Sequence, residues 1–166
     1  MEAEDFSALW APWRVEYFKA GAGTPDFLLN AASSEDDAAH LVVTRRAHTF
    51  LIMNRYPYAV GHLMAVPMRK VGELNELTDA EKLELWELAE FAQRLLRQVV
   101  RAQGFNVGLN LGKCAGAGVA DHLHLHIVPR WEGDHNFMPV LADTRILPEA
   151  IGHLYEKLVA AREQLG

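Results

Sequence analysis

Residues 122–131, reading His-Leu-His-Leu-His-Ile-Val-Pro-Arg-Trp, constrain the fold more than any other stretch of the chain. Strict alternation has a period of two. As a strand, it points His122, His124 and His126 to one face and Leu123, Leu125 and Ile127 to the other. One face is then free for chemistry while the other must pack a core, so the chain needs a sheet with a covered side. The proline at 129 closes the run.

The rest of the chain supplies that sheet and its cover. Residues 41–44, 49–53 and 61–66 read as three strands, joined by polar connections at 45–48 and 54–58. Each connection is too short for a parallel crossover, so the three form an antiparallel meander. Thr78 and Glu81 make a capping box. A long helix follows, with Leu85, Leu88, Ala89, Ala92, Leu95, Leu96 and Val99 on one stripe and Gly104 as its stop. A fourth strand is expected over 105–111 and a fifth over 121–128, separated by the glycine-rich stretch 112–118, whose backbone amides can turn toward a ligand. A short strand near 138–142 and a last helix opened by Pro148, carrying Ile151, Leu154, Tyr155, Leu158 and Val159 on one face, complete the chain. Upstream, residues 26–32 read as a short helix and 33–37 as a solvated turn. The aromatic extension 1–25, with Trp10 and Trp13, packs on its own domain or a second subunit, or walls a planar ligand.

Composition narrows the function classes. A chain of 166 residues, 50% apolar and 23% charged, is expected to form one domain over 1–166, with a helical extension at 143–166. No apolar run approaches the ~20 residues a bilayer helix needs, so no membrane partner is expected. The N-terminus is acidic where a targeting peptide would be basic. Cys114 is the only cysteine, which rules out an intramolecular disulfide and suits a reducing cytoplasm. A net charge of −6 argues against a nucleic-acid polymer as partner. A small phosphorylated ligand needs only a local amide-lined pocket and stays open.

Three histidines on one face suggest either a metal or a nucleophile. Alternate strand residues sit ~7 Å apart and the outer pair ~13 Å, which strains a three-ligand site. A fourth ligand would have to be Glu132 or Asp134, beyond Pro129. A nucleophile fits better. Neutral imidazole attacks well near pH 7, and neighbouring imidazoles can protonate a leaving oxygen or hold phosphate oxygens. His124, in the centre, is best placed to attack, flanked by an acid and a phosphate clamp.

At these residues the chain resembles the histidine triad (HIT) family, whose signature alternates three histidines with apolar residues. Residues 122–128 match it at every position. The flanks 10–14 and 129–138 resemble the bacterial branch that includes diadenosine tetraphosphate phosphorylases. The resemblance implies an α+β, HIT-like fold with a five-stranded antiparallel sheet, one long and one C-terminal helix, commonly as a homodimer. It implies cleavage of a nucleotide substrate, such as a dinucleoside polyphosphate, at the α-phosphate. His124 would become nucleotidylated, His126 would contact phosphate and assist the leaving group, and His122 would orient the nucleophile with His62 behind it. Asn54 would hold ribose hydroxyls, and Asn110 matches an asparagine upstream of the triad. No tightly bound cofactor or metal is expected, only magnesium carried in on substrate phosphates.

Two departures from the family pattern follow. Where many relatives carry Gly-Gln-Ser or Gly-Gln-Thr, this chain has Ala117, Gly118 and Val119, so phosphate contacts there would come from backbone alone. Where many relatives carry a zinc-binding pair of cysteines, residues 26–30 have none, so no structural zinc is expected. The acceptor, water or phosphate, stays open. A nucleoside phosphoramidase and a nucleotide-binding scaffold with slow turnover are the alternatives.

Overall fold

A computed structural model describes residues 26–134 and 150–165. The aromatic segment with Trp10 and Trp13, the strand expected near 138–142 and the helix start expected at Pro148 lie outside the described residues. The elements are helices α1 (Phe27–Ser33) and α2 (Asp37–His40), strands β1 (Val42–Arg45), β2 (Thr49–Met53) and β3 (Leu63–Pro67), helix α3 (Asp79–Val100), strands β4 (Gly104–Gly108) and β5 (Leu125–Arg130), and helix α4 (Ile151–Leu165). The strands form one sheet in the order β1-β2-β3-β5-β4, and each neighbouring pair is antiparallel. The expected α+β architecture is therefore present. The chain leaves the meander after β3, crosses the sheet with α3, and returns through β4 so that β5 fills the gap beside β3.

Alternation decides what each face buries. Leu51, Met53, Leu63, Ala65, Leu125 and Ile127 pack under α3, through Leu85, Leu88, Ala92, Leu95 and Leu96, and under α4, through Leu154, Tyr155 and Leu158. The opposite parity, Val42, Phe50, Ile52, Met64 and Val66, packs against Leu28 and Ala31 of α1. Met64 is the register partner of His126, so His126 lies on the α1 side of the sheet. The Thr78–Glu81 capping box is formed, and Arg69 adds a two-pronged ion pair to the Glu81 carboxylate at 2.6 and 2.8 Å.

Several boundaries differ from the sequence expectation. The turn expected over 33–37 is interrupted, because Asp36 caps the one-turn helix α2 and Leu41 leaves it in the left-handed region (φ 61°). Pairing in β1 therefore starts at Val42, and a register shift between Val42 and Thr44 marks a bulge. Bulging leaves carbonyls without ladder partners. Helix α4 supplies them: the Tyr155 hydroxyl donates to the Val42 carbonyl at 3.0 Å, and Arg162 donates to that of Val43. β3 begins at Leu63 rather than 61, because Gly61 turns at φ 78° and the His62 amide bonds back to Ala59. Helix α3 stops at Val100 with Arg101 left-handed (φ 54°), so Gly104 opens β4 instead of ending the helix.

The largest correction concerns β4 and β5. β4 ends at Gly108, leaving Asn110 in the loop beyond it. β5 starts at Leu125, not 121, because the chain before it is drawn off the ladder: the Leu123 amide donates to the Val71 carbonyl at 2.7 Å. β5 also continues through Pro129 to Arg130. The missing proline N–H falls on the β3 side, where pairing has already ended at Leu63 and Ile127, so no ladder bond is lost. No helix among the described residues is long and apolar enough to cross a membrane.

Candidate active site

Of the three histidines only His126 belongs to a ladder, yet the alternation continues upstream of the strand. Leu123 joins Leu125 and Ile127 in the core beneath α3. The His124 and His126 rings meet edge to face, with centroids 4.8 Å apart. Both side chains are largely buried, at 9% and 8% exposed.

The hydrogen bonds assign the protons. His124 Nδ1 lies 2.8 Å from the backbone carbonyl of His122, which can only accept, so Nδ1 carries the hydrogen. The lone pair of a neutral His124 is then on Nε2. Burial is the main influence on this imidazole and lowers its pKa below the ordinary histidine value of 6.5; the nearby His122 adds to this, while the His122 carbonyl and the Asp26 carboxylate oppose it. His124 is thus held neutral with Nε2 as the nucleophilic atom.

His126 is set by a longer chain of contacts. Asn54 accepts the Tyr56 amide on Oδ1 at 2.8 Å, which fixes its Nδ2 toward His62 Nδ1 at 3.3 Å. The Tyr58 amide donates to that same nitrogen at 3.1 Å. With two donors on Nδ1, the hydrogen of a neutral His62 sits on Nε2, which lies 2.9 Å from His126 Nδ1. His126 therefore accepts on Nδ1, and its own hydrogen is on Nε2, 3.4 Å from the Asn110 side-chain amide, whose oxygen must turn to this side to accept it. Tyr58 stacks on His62 with ring centroids 4.7 Å apart.

The structure thus gathers His124, His126, His62, Asn54 and Asn110, but not in every expected arrangement. His62 stands behind His126, not behind His122. The His122 ring is fully buried elsewhere: Nε2 donates to the Pro67 carbonyl at 2.9 Å, and Nδ1 faces Asp26 Oδ1 at 3.7 Å, beyond hydrogen-bond reach. It is the backbone carbonyl of His122, not its imidazole, that orients His124. Both ends of the Asn54 amide are engaged within the chain.

The loop before the triad also differs in part. Gly112 and Gly116 adopt positive φ, 78° and 85°, around a 3-10 turn at Lys113–Ala115. The Ala117 amide donates to the Gly112 carbonyl at 3.3 Å, so it is engaged within the loop and not turned toward a ligand. Val119 packs against the α1-side core, and Gly118 is exposed; among the described residues neither amide donates a hydrogen bond.

Asp26, Lys70 and Tyr58 adjoin the site without having been singled out in the sequence. Only Asp26 left a signal, as a helix N-cap type just before α1. Among the described residues, no group of three or more His, Cys, Asp or Glu is placed to hold a metal ion.

Comparison with known proteins follows the same geometry. A family model described as the HIT domain matches residues 35–133. An AP-4-A phosphorylase of Mycobacterium tuberculosis is 39% identical over 158 residues, covering 90% of this chain and 81% of that protein. The asymmetrical bis(5'-nucleosyl)-tetraphosphatase of Schizosaccharomyces pombe is 34% identical over 82 residues, 49% of this chain and 44% of that one. Among solved structures, a Zn-bound histidine triad family protein from Mycobacterium smegmatis superposes with a TM-score of 0.62 at 25% identity, over 75% of this chain and 85% of that chain. The Plasmodium falciparum diadenosine triphosphate hydrolase, at 19% identity and a TM-score of 0.60 over 92% of this chain and 96% of that one, shares the fold. The matched span holds Asn54, His62, Asn110 and the whole triad, and the chain belongs to the histidine triad family of HIT-domain proteins.

Proposed function

We propose that this chain cleaves dinucleoside polyphosphates at the α-phosphate through a nucleotidyl-His124 intermediate, acting as a phosphorylase when inorganic phosphate is the acceptor. The observation that carries the reading is the 2.8 Å bond from His124 Nδ1 to the His122 carbonyl, which leaves Nε2 free to attack in a buried, neutral ring. In the first half-reaction an Nε2–P bond forms and the P–O bond to the departing polyphosphate breaks. His126, with its hydrogen on Nε2, donates a hydrogen bond to the leaving phosphate oxygen, which departs as an anion. In the second, an unprotonated oxygen of the phosphate acceptor bonds phosphorus as the N–P bond breaks, and His124 returns to neutrality. Asn54 and Asn110 would orient the nucleotide, with Gly118 and Val119 offering backbone donors to phosphate. Support for the substrate class comes from the phosphorylase and tetraphosphatase relatives, and support for phosphate as acceptor from the former's match over 90% of the chain.

A second reading, a nucleotide-binding scaffold that turns over slowly, is favoured by one observation: the Ala117 amide already donates within its own loop. One assay separates them. Incubation with diadenosine tetraphosphate, with and without phosphate, should give ADP and ATP only when phosphate is present. AMP and ATP would make the chain a hydrolase, and tight nucleotide binding without turnover a scaffold.

We further read the protein as a cytoplasmic homodimer with no cofactor of its own, magnesium arriving on the substrate's phosphates. The exposed thiol of its single cysteine, Cys114, suits a reducing compartment. β4 is an edge strand, and no strand among the described residues covers its outer side, which suits a second copy. Light scattering in solution tests the dimer.

A further inference from the structure

The peptide around the His122 carbonyl is anchored at three points, all by residues 67–71. Lys70 Nζ holds the Asp121 carboxylate at 2.7 Å, the Pro67 carbonyl takes the His122 ring, and the Val71 carbonyl takes the Leu123 amide. Of these only the Leu123–Val71 bond is backbone on both sides. The other feature is ionic: Lys70 also binds Asp26 Oδ2 at 3.0 Å, and Asp26 Oδ1, fixed by the Leu29 amide at 3.1 Å, faces His122 Nδ1. That ring nitrogen is buried and makes no hydrogen bond among the described residues. Burial alone would raise the Asp26 carboxyl pKa, but the Lys70 hydrogen bond, the Leu29 amide and the positive charge of Lys70 hold it below the ordinary range. An ionised carboxylate, paired with Lys70, therefore stands behind His122. The stretch where the resemblance puts a cysteine pair in relatives is here tied down by ion pairs.

We propose that Asp26 is a positioning residue for nucleotidyl transfer, fixing Lys70 on the His122 segment whose carbonyl orients His124 and favouring the cationic nucleotidyl-imidazole over the neutral ring. This rests on the reading of His124 as nucleophile. His124 is neutral before attack and gains positive charge as Nε2 bonds phosphorus. A fixed carboxylate behind it stabilises the transition state more than the ground state, so its loss lowers kcat and leaves substrate binding alone.

The test is Asp26→Asn in the full chain. Asparagine caps a helix about as well as aspartate, so α1 keeps its cap while the charge goes. With diadenosine tetraphosphate, kcat is expected to fall about tenfold, with KM within about twofold and the thermal midpoint within about 3 °C of the parent. An unchanged kcat, or a loss seen equally in KM or accompanied by a larger fall in midpoint, overturns the inference. Should the parent chain not turn over the dinucleotide at all, the functional reading falls instead. The Asp26 inference is then decided by 15N NMR of labelled histidine without substrate: a His124 tautomer signal that shifts in Asp26→Asn supports it, and an identical spectrum overturns it.

Discussion

His62 Nε2 stands 2.9 Å from His126 Nδ1, and the two amide donors on the far side of His62 allow the proton between them only one location in the neutral pair. A backbone amide and an asparagine, neither of which titrates, thereby dictate which nitrogen of His126 can donate to the leaving oxygen. His62→Phe keeps a ring against Tyr58 but removes both nitrogens. Its kcat is expected to fall roughly 10²-fold with KM little changed. A kcat equal to that of the parent would mean the His62–His126 contact does not set the His126 donor.

The pH dependence follows from the lowered His124 pKa. A histidine whose pKa lies below 6.5 in the folded chain stays neutral to lower pH than a free one, so the acid limb of kcat/KM should fall below pH 6.5. Stability moves with it. The folded chain binds this proton less readily than the unfolded one, so the stabilising contribution is complete above 6.5 and is lost as pH drops from there through the folded value. A pH–rate profile checks the first, with an acid limb at or above 6.5 as the contrary result. Thermal melts between pH 5 and 7.5 check the second.

The entry to α3 gives a stability prediction remote from the site. The Arg69 guanidinium hydrogen bond is the main influence holding the Glu81 carboxyl down at about 2, with the Thr78 amide and hydroxyl adding to it against the effect of burial. The pair's stabilisation is present above the ordinary pKa of 4.5 and is lost as pH falls through about 2. Thr78→Ala removes the cap and should cost about 1 kcal/mol. That corresponds to about 2–4 °C in the thermal midpoint of a chain this size, with activity per folded molecule unchanged.

Tyr155→Phe leaves the Val42 carbonyl at the β1 bulge without the hydroxyl that now caps it. A loss of about 1–3 kcal/mol is expected for that unpaired acceptor, read by chemical denaturation, again without effect on kcat. No change in midpoint would mean that water replaces the hydroxyl freely.

Periodicity carried most of this architecture in the sequence. Alternation placed Leu123, Leu125 and Ile127 in the core and His124 and His126 on the opposite face, and the Thr78 capping box set the start of α3. Termini were less legible, because they depend on partners distant in sequence. Nothing near Asp121 announces that Val71 will take the Leu123 amide and pull residues 121–124 off the ladder. The same holds for His122, whose ring found a carbonyl 55 residues away. The resemblance implies His62 behind His122, but strand β3 places Leu63 opposite Ile127, and the adjoining His62 reaches His126 instead. Asp26 fell inside the helix expected over 26–32, and its place beside the triad depends on Lys70, which only the fold brings near.

The central claim is covalent and can be tested directly. Radiolabelled diadenosine tetraphosphate, mixed with the protein and quenched mid-turnover in alkaline denaturant, should leave an alkali-stable, acid-labile nucleotidyl group that peptide mapping assigns to His124, and His124→Ala should carry none. Label on any other residue, or full activity in His124→Ala, would contradict the account.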